Sequence, residues 1–211
     1  PHATPRTVSV GDVALYTSLF PTRFALQSSD EMARQIGYDR APVDDMLAFH
    51  IVFGKTVPDI SLNAVANLGY ADCKFLKPVF PGDTLSTSSK VIGLKENSNG
   101  KTGVVYVRST GTNQHGDIVL DYVRWVMVRK GDVNAPAPET DVPALPKVVP
   151  VEHLHVPDGL DFSGLDPKVT GSTHMWDDYT VGEKIDHIDG VTIEESEHMM
   201  ATSARGRGVG P

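Results

Sequence analysis

The feature that most constrains this chain is a block of three long strand-like runs directly after Gly82-Asp83: Thr84 to Lys95, Lys101 to Thr112 and Asp117 to Lys130, all rich in Thr, Val and Tyr. Two short turns separate them. Asn97-Ser98-Asn99-Gly100 and Asn113-Gln114-His115-Gly116 supply residues that tolerate positive φ, so consecutive antiparallel strands joined by hairpins are expected. Such a sheet must bury one face. The element that can cover it runs from Val43 to Val57, where Met46, Leu47, Phe49, Ile51, Val52 and Phe53 take up nearly the whole helix circumference between Pro42 and Pro58. An α+β unit follows, a long antiparallel sheet wrapped around one buried helix.

Two shorter helices are expected ahead of it. Ser9-Val10-Gly11-Asp12 carries a serine cap with an acid three residues on, and Ser28-Ser29-Asp30-Glu31 repeats the device before Met32 and Ile36, stopped by Gly37. Beyond the strands, Asp132 to Pro167 holds seven of the fifteen prolines without sustained periodicity, the composition of an extended linker. A shift of 185 positions then places His2 on His187, Thr7 on Thr192, Val8 on Ile193, Asp12 on Glu197 and Thr17 on Thr202. This match predicts that a second copy of the first unit begins near Trp176. The division is therefore a first domain over 1–131, a linker over 132–170 and the start of a second domain over 171–211. Only nine residues follow Thr202, and they are Gly/Arg-rich. The expectation is a second unit cut short by truncation or a frameshift, the alternative being a natural flexible tail.

Several classes of function are disfavoured. A formal charge of −8 argues against a general nucleic-acid partner, which requires a basic surface. No run approaches the roughly 18 apolar residues of a membrane span, and Pro1 to Arg6 lacks the pattern of a signal peptide, so a cytoplasmic protein is expected. Cys73 is the only cysteine, which rules out an internal disulfide and a cysteine-rich zinc site.

Longer stretches carry a family likeness. Ala48 to Ser61, Asn67-Leu68-Gly69-Tyr70, Pro78 to Leu85, Val91 to Leu94, Lys101 to Val107, Tyr122 to Lys130, Trp176 to Tyr179, Val181 to His187 and Gly190 to Glu195 resemble the mesaconyl-CoA (2-methylfumaryl-CoA) hydratase family of MaoC-like proteins with two hot-dog domains. The resemblance covers nearly everything from His2 to Thr202. It implies a hot-dog fold and the reversible hydration of mesaconyl-CoA to β-methylmalyl-CoA, in the ethylmalonyl-CoA pathway or a relative, with no metal or redox cofactor. It also implies a CoA thioester as partner; a homo-oligomer is expected on separate grounds, because an incomplete second domain would leave apolar surface and a sheet edge uncovered.

Hydration of an enoyl thioester requires a general base, an acid for the α-carbon and donors for the thioester oxygen. In the related hydratases an Asp and a His precede the central helix and a His-Gly pair opens it. Here the corresponding stretch reads Phe20 to Leu26 and the helix opens with Asp44-Asp45. A carboxylate ~4 Å from an enolate oxygen costs about 4 kcal/mol at an effective dielectric of ~20, as much as one oxyanion donor contributes. No catalytic residue is therefore assigned to the first domain. By the repeat, the reacting groups belong just past Thr202, where the family continues with an Asn and a His and this sequence does not. Lys74 and Lys77, near the start of the sheet, are the candidates for meeting CoA phosphates, with ordinary surface lysines as the alternative. His50 reads as a hydrogen-bonded core histidine. His153 and His155, two apart in the linker, could chelate but no third ligand is evident, so they read as solvated loop histidines, and His187 with His198 matches no metal spacing. His174, Asp177 and Asp178 read as a polar entry to the second domain. Two alternatives to a hydratase remain open, a non-catalytic acyl-CoA-binding or scaffold half and a thioesterase.

Overall fold

A computed structural model describes residues 1–2, 4–21, 24–166, 173–187, 190 and 192–204. The Gly/Arg-rich end at 205–211 lies outside them. Five strands, β1 (Arg6–Thr7), β2 (Ala64–Phe75), β3 (Thr84–Glu96), β4 (Thr102–Thr112) and β5 (Ile118–Arg129), form one antiparallel sheet in the order β1-β3-β4-β5-β2. Helices α1 (Val10–Leu19), α2 (Ala25–Ser28) and α3 (Asp30–Gln35) precede the central α4 (Asp45–Thr56), and α5 (Glu195–Ala204) comes last. No helix among the described residues is long and apolar enough to cross a membrane.

The capping signals act as read. Ser9 Oγ accepts the Asp12 N–H at 3.1 Å while Asp12 Oδ2 accepts the Ser9 N–H at 2.8 Å, so two N–H groups at the start of α1 are satisfied reciprocally. Ser29 Oγ caps α3 through the Met32 N–H, and Gly37 at φ +110° ends that turn. The three sheet runs and both hairpins stand where the turn residues put them.

Helix α4 carries the core. Leu47, Ala48, Ile51 and Val52 are fully buried against Leu85, Val119, Leu120 and Tyr122 of the sheet, which is the hot-dog arrangement. The helix sits so close to β4 that a Cβ on Gly111 would lie 2.6 Å from Val52 Cγ2. On β3, the Thr87 hydroxyl donates to the Val52 carbonyl at 3.3 Å.

Three readings of the sequence need correction. Met46 is 45% exposed, because α4 covers the sheet with one face rather than being enclosed all round. Pro58 does not stop the helix, which continues as a π-turn over Val57–Ser61. The stretch from Ala64 to Phe75 is a full strand, β2, with shifts of register against β5 on either side of Asn67 and after Ala71. Asp72 sits there at φ +52°, and these irregularities erase the alternation that marks a strand.

The proline-rich stretch runs as irregular chain over the sheet. Asp141 bridges to Leu94, extending the β3 edge beyond the two residues of β1, and Gly93 makes room for the Asp141 carbonyl, which a Cβ would meet at 2.5 Å. Further on, the Asp161 N–H donates to the Ile36 carbonyl at 3.0 Å.

The 185-residue shift maps Val10–Leu19 onto 195–204, the span of α5, and α5 packs against α1 with Ala201 buried. Between linker and helix the large apolar side chains of the described residues stay in solvent, with Trp176 91% and Ile193 87% exposed.

If the contact between Val52 and Gly111 sets the seat of α4, Gly111→Ala should lower stability by about 1–3 kcal/mol through overpacking. A urea melt with a lower midpoint and unchanged slope is the expected reading; an unchanged midpoint would show that the helix has room to move.

Candidate functional site

The start of α4 opens into a hollow of about 130 Å³ lined by Phe24, Leu26, Tyr38, Asp45, Leu76 and Lys77 among others, with His155 of the linker at its side. A second hollow of about 540 Å³ shares Gln27 and Pro42 with the first and reaches Arg40, Val10 and Pro81. The two make a groove with Lys77 at one end and Arg40 at the other. Arg40 donates to the Pro81 carbonyl at 2.8 Å and stacks over the Phe80 ring. Lys77 pairs at 2.7 Å with Asp117, both half-exposed, a pairing worth little in water and open to exchange.

The floor of the groove is acidic. Asp44 caps α4 by accepting the Met46 N–H at 2.8 Å. Asp45 is open to solvent on one side, but burial of its carboxyl and then the Asp44 charge raise its pKa. Asp44 caps the helix as the sequence suggests, and Asp45 stands in its first turn.

Lys74 lies elsewhere. It bonds Asp72 at 3.0 Å, in a cluster where Arg108 bridges Asp72 and Asp121 and Thr110 donates to Asp121 at 2.9 Å. Burial alone would raise the Asp72 pKa; hydrogen bonds from Arg108 and Lys74 outweigh it and hold the carboxyl below its usual range. The bulge at Asp72 turns Lys74 into this cluster, and the spacing of the two lysines does not reveal it.

The histidines are scattered. His50 is half-buried rather than a full core residue, its ring between those of Tyr16 and Phe49. His153, His174, His187 and His198 are exposed. No group of three metal-ligating side chains occurs among the described residues. His2 forms a chain with Asp59 and Ser89 at 2.5 and 2.7 Å, but Ser89 is tied in turn to Ser109 at 2.8 Å, an arrangement that pins the chain to the sheet.

One group was read only as part of a family motif. Arg124, on the inner face of β5 two residues from Tyr122, is fully buried. Its guanidinium lies 4.5 Å from the Phe53 ring centre and donates to Thr56 Oγ1 at 2.8 Å and more weakly to Ser61 Oγ. Among the described residues Arg124 Nε has no hydrogen-bond partner, and the buried Tyr122 hydroxyl has only the nearby hydroxyls of Ser109 and Thr56. Burial raises the Tyr122 pKa and lowers that of Arg124. A signal existed in the alternation Leu120, Tyr122, Arg124, Val126, which puts a charge at an inward position.

A sheet curled on one helix, with a groove at the helix start lined by Asp45 and His155 among others, defines a hot-dog domain. Residues 1–113 match the family model described as MaoC like domain, and the chain belongs to that family. It is 65% identical over 201 residues to a beta-methylmalyl-CoA dehydratase of Chloroflexus aurantiacus, covering 95% of this chain and 57% of that protein. A mesaconyl-CoA hydratase of Cereibacter sphaeroides is also 65% identical, with 95% and 59% covered. The chain thus spans under two thirds of the length of these relatives. A solved MaoC domain protein dehydratase from Chloroflexus aurantiacus superposes with a TM-score of 0.89 at 64% identity, over 97% of this chain and 58% of that one.

Because the Asp45 carboxyl is harder to ionise in the folded protein, its contribution to stability is present below its unfolded pKa, about 3.9, and is lost as pH rises through the folded value. Asp45→Asn should therefore raise the urea midpoint at pH 7, with the advantage shrinking as pH falls toward 4. An advantage independent of pH would contradict this account.

Proposed function

We propose that this chain is the acyl-CoA-binding hot-dog unit of an enoyl-CoA hydratase, and that the reaction of the whole protein is the reversible hydration of mesaconyl-CoA to β-methylmalyl-CoA. The observation that carries the division of labour is the start of α4, where two carboxylates stand at the place that must stabilise thioester-oxygen charge. The Met46 N–H already held by the Asp44 carboxylate cannot serve an enolate. The reaction is supported by the 65% identity to proteins named for it.

In this reading Lys77 and Arg40 attract CoA phosphates at the two ends of the groove, and the apolar wall from Phe24 to Leu76 takes the pantetheine arm. Lys74, held by Asp72, plays no direct part. The second unit begins with α5, whose position repeats that of α1 after 185 residues, and carries the reacting groups. The exposed Trp176 and Ile193 are then surfaces that a further part of the fold or a second copy covers, consistent with a homo-oligomer in the cytoplasm.

Two measurements test this. Calorimetry should show CoA binding to the 211-residue protein, and Lys77→Ala should weaken it about tenfold, the worth of one charge-assisted bond. Loss of enoyl-thioester absorbance from mesaconyl-CoA should be seen with the full-length Chloroflexus aurantiacus relative and not with this chain. Turnover by this chain would overturn the placement of catalysis.

A further inference from the structure

The hollow at the start of α4 is not walled by the first unit alone. Most of its lining comes from the residues around α2, the approach to α4 and the chain at the end of β2, but His155 and Pro157 belong to the linker, well beyond the last strand. The linker is held there. Just past Pro157 the Asp161 N–H donates to the Ile36 carbonyl at 3.0 Å, and the Gly159 carbonyl comes so near Gly37 that a Cβ there would lie 2.8 Å from it. Gly37, at φ +110°, thus serves twice, ending the turn of α3 and leaving room for the strap. The Asp161 carboxylate accepts the Ser163 N–H at 2.9 Å and closes the turn that follows. Held in this way, the His155 ring is exposed at the hollow, and among the described residues it makes no hydrogen bond, ion pair or ring contact.

We infer that the strap over 154–161 is part of the ligand site, and that His155 donates, together with Lys77, to a phosphate of the bound CoA. The inference rests on the CoA-binding reading of the groove and adds to it a residue and a segment from outside the first unit. An imidazole carries an N–H donor in either protonation state, and a bond to a charged phosphate oxygen is among the stronger ones. Asp45, in the first turn of α4, disfavours an anion at the helix start itself, so the phosphate depends on donors from elsewhere on the hollow's rim. Lys77 comes from the chain after β2 and His155 from the strap, and a phosphate shared by the two ties the linker to the first unit. Pro157 has its φ fixed in advance, which limits the freedom the strap loses when it closes on a ligand.

Calorimetry of CoA binding to the whole chain tests this with four variants. His155→Phe keeps a ring and loses the donor, and it should weaken binding about tenfold, the value of one hydrogen bond to a charged group. His155→Lys restores a donor and should bind within about threefold of the parent. Asp161→Pro removes the N–H that holds the strap to Ile36 and alters no residue of the groove; it should weaken binding about as much as His155→Phe. Asp161→Ala keeps that N–H and should bind like the parent. His155→Phe and Asp161→Pro combined should lose no more than either alone, because both act through one contact. Parent-like binding by His155→Phe or by Asp161→Pro, or additive losses in the double variant, overturns the inference and leaves the groove reading standing. Tighter binding by Asp161→Pro overturns it too, by showing that the strap plugs the groove. Failure of CoA to bind the parent chain overturns the groove reading and this inference together.

Discussion

Everything in this domain depends on how closely α4 lies on the inner face of the sheet. Val52 rests on the bare backbone of Gly111 and its carbonyl accepts from Thr87, so helix and strands approach without a layer of side chains between them at that point. The close seat decides which residues are enclosed. Leu47, Ala48, Ile51 and Val52 face the sheet and are sealed, whereas Met46 turns to solvent. It also fixes what stands at the two ends of the helix. One end opens into the groove with Lys77 and Arg40. The other presses Phe53 and Thr56 onto Arg124.

The electrostatics of the two ends differ in kind. At the start of α4 the exposed pair Lys77–Asp117 and the half-open Asp45 are exchangeable, because water screens them and each can give up its partner cheaply. At the far end a charge sits in a dry aromatic setting with only hydroxyls for company, where any unpaired donor is costly. A binding unit can use the screened charges for attraction and orientation at the entrance.

Much of the frame was legible because its signals are local. Ser9 and Ser29 cap helices through side chains three residues away, the Asn-Gly and His-Gly turns set the hairpins, and the apolar face of residues 47–52 marks the core helix. Helix α5 spans the residues that the 185-position shift assigns to it. What escaped depends on partners distant in sequence. Strand β2 is broken by shifts of register near Asn67 and by the turn at Asp72, so its period is lost. The π-turn beyond Pro58 follows from tertiary packing. Lys74 and Lys77, three apart, diverge into an ion cluster and a groove because of that same bulge. Arg124 was passed over since a charge in a strand ordinarily points to water.

The measurement that tests the central claim most directly is a map of amide chemical-shift changes on adding CoA to the isotope-labelled chain. The account predicts changes confined to Leu26, Tyr38, Arg40, Asp45, Leu76, Lys77 and His155 around the start of α4. Changes centred on the Lys74 cluster, or on the outer face of the sheet, would contradict it and place the binding surface elsewhere in the fold.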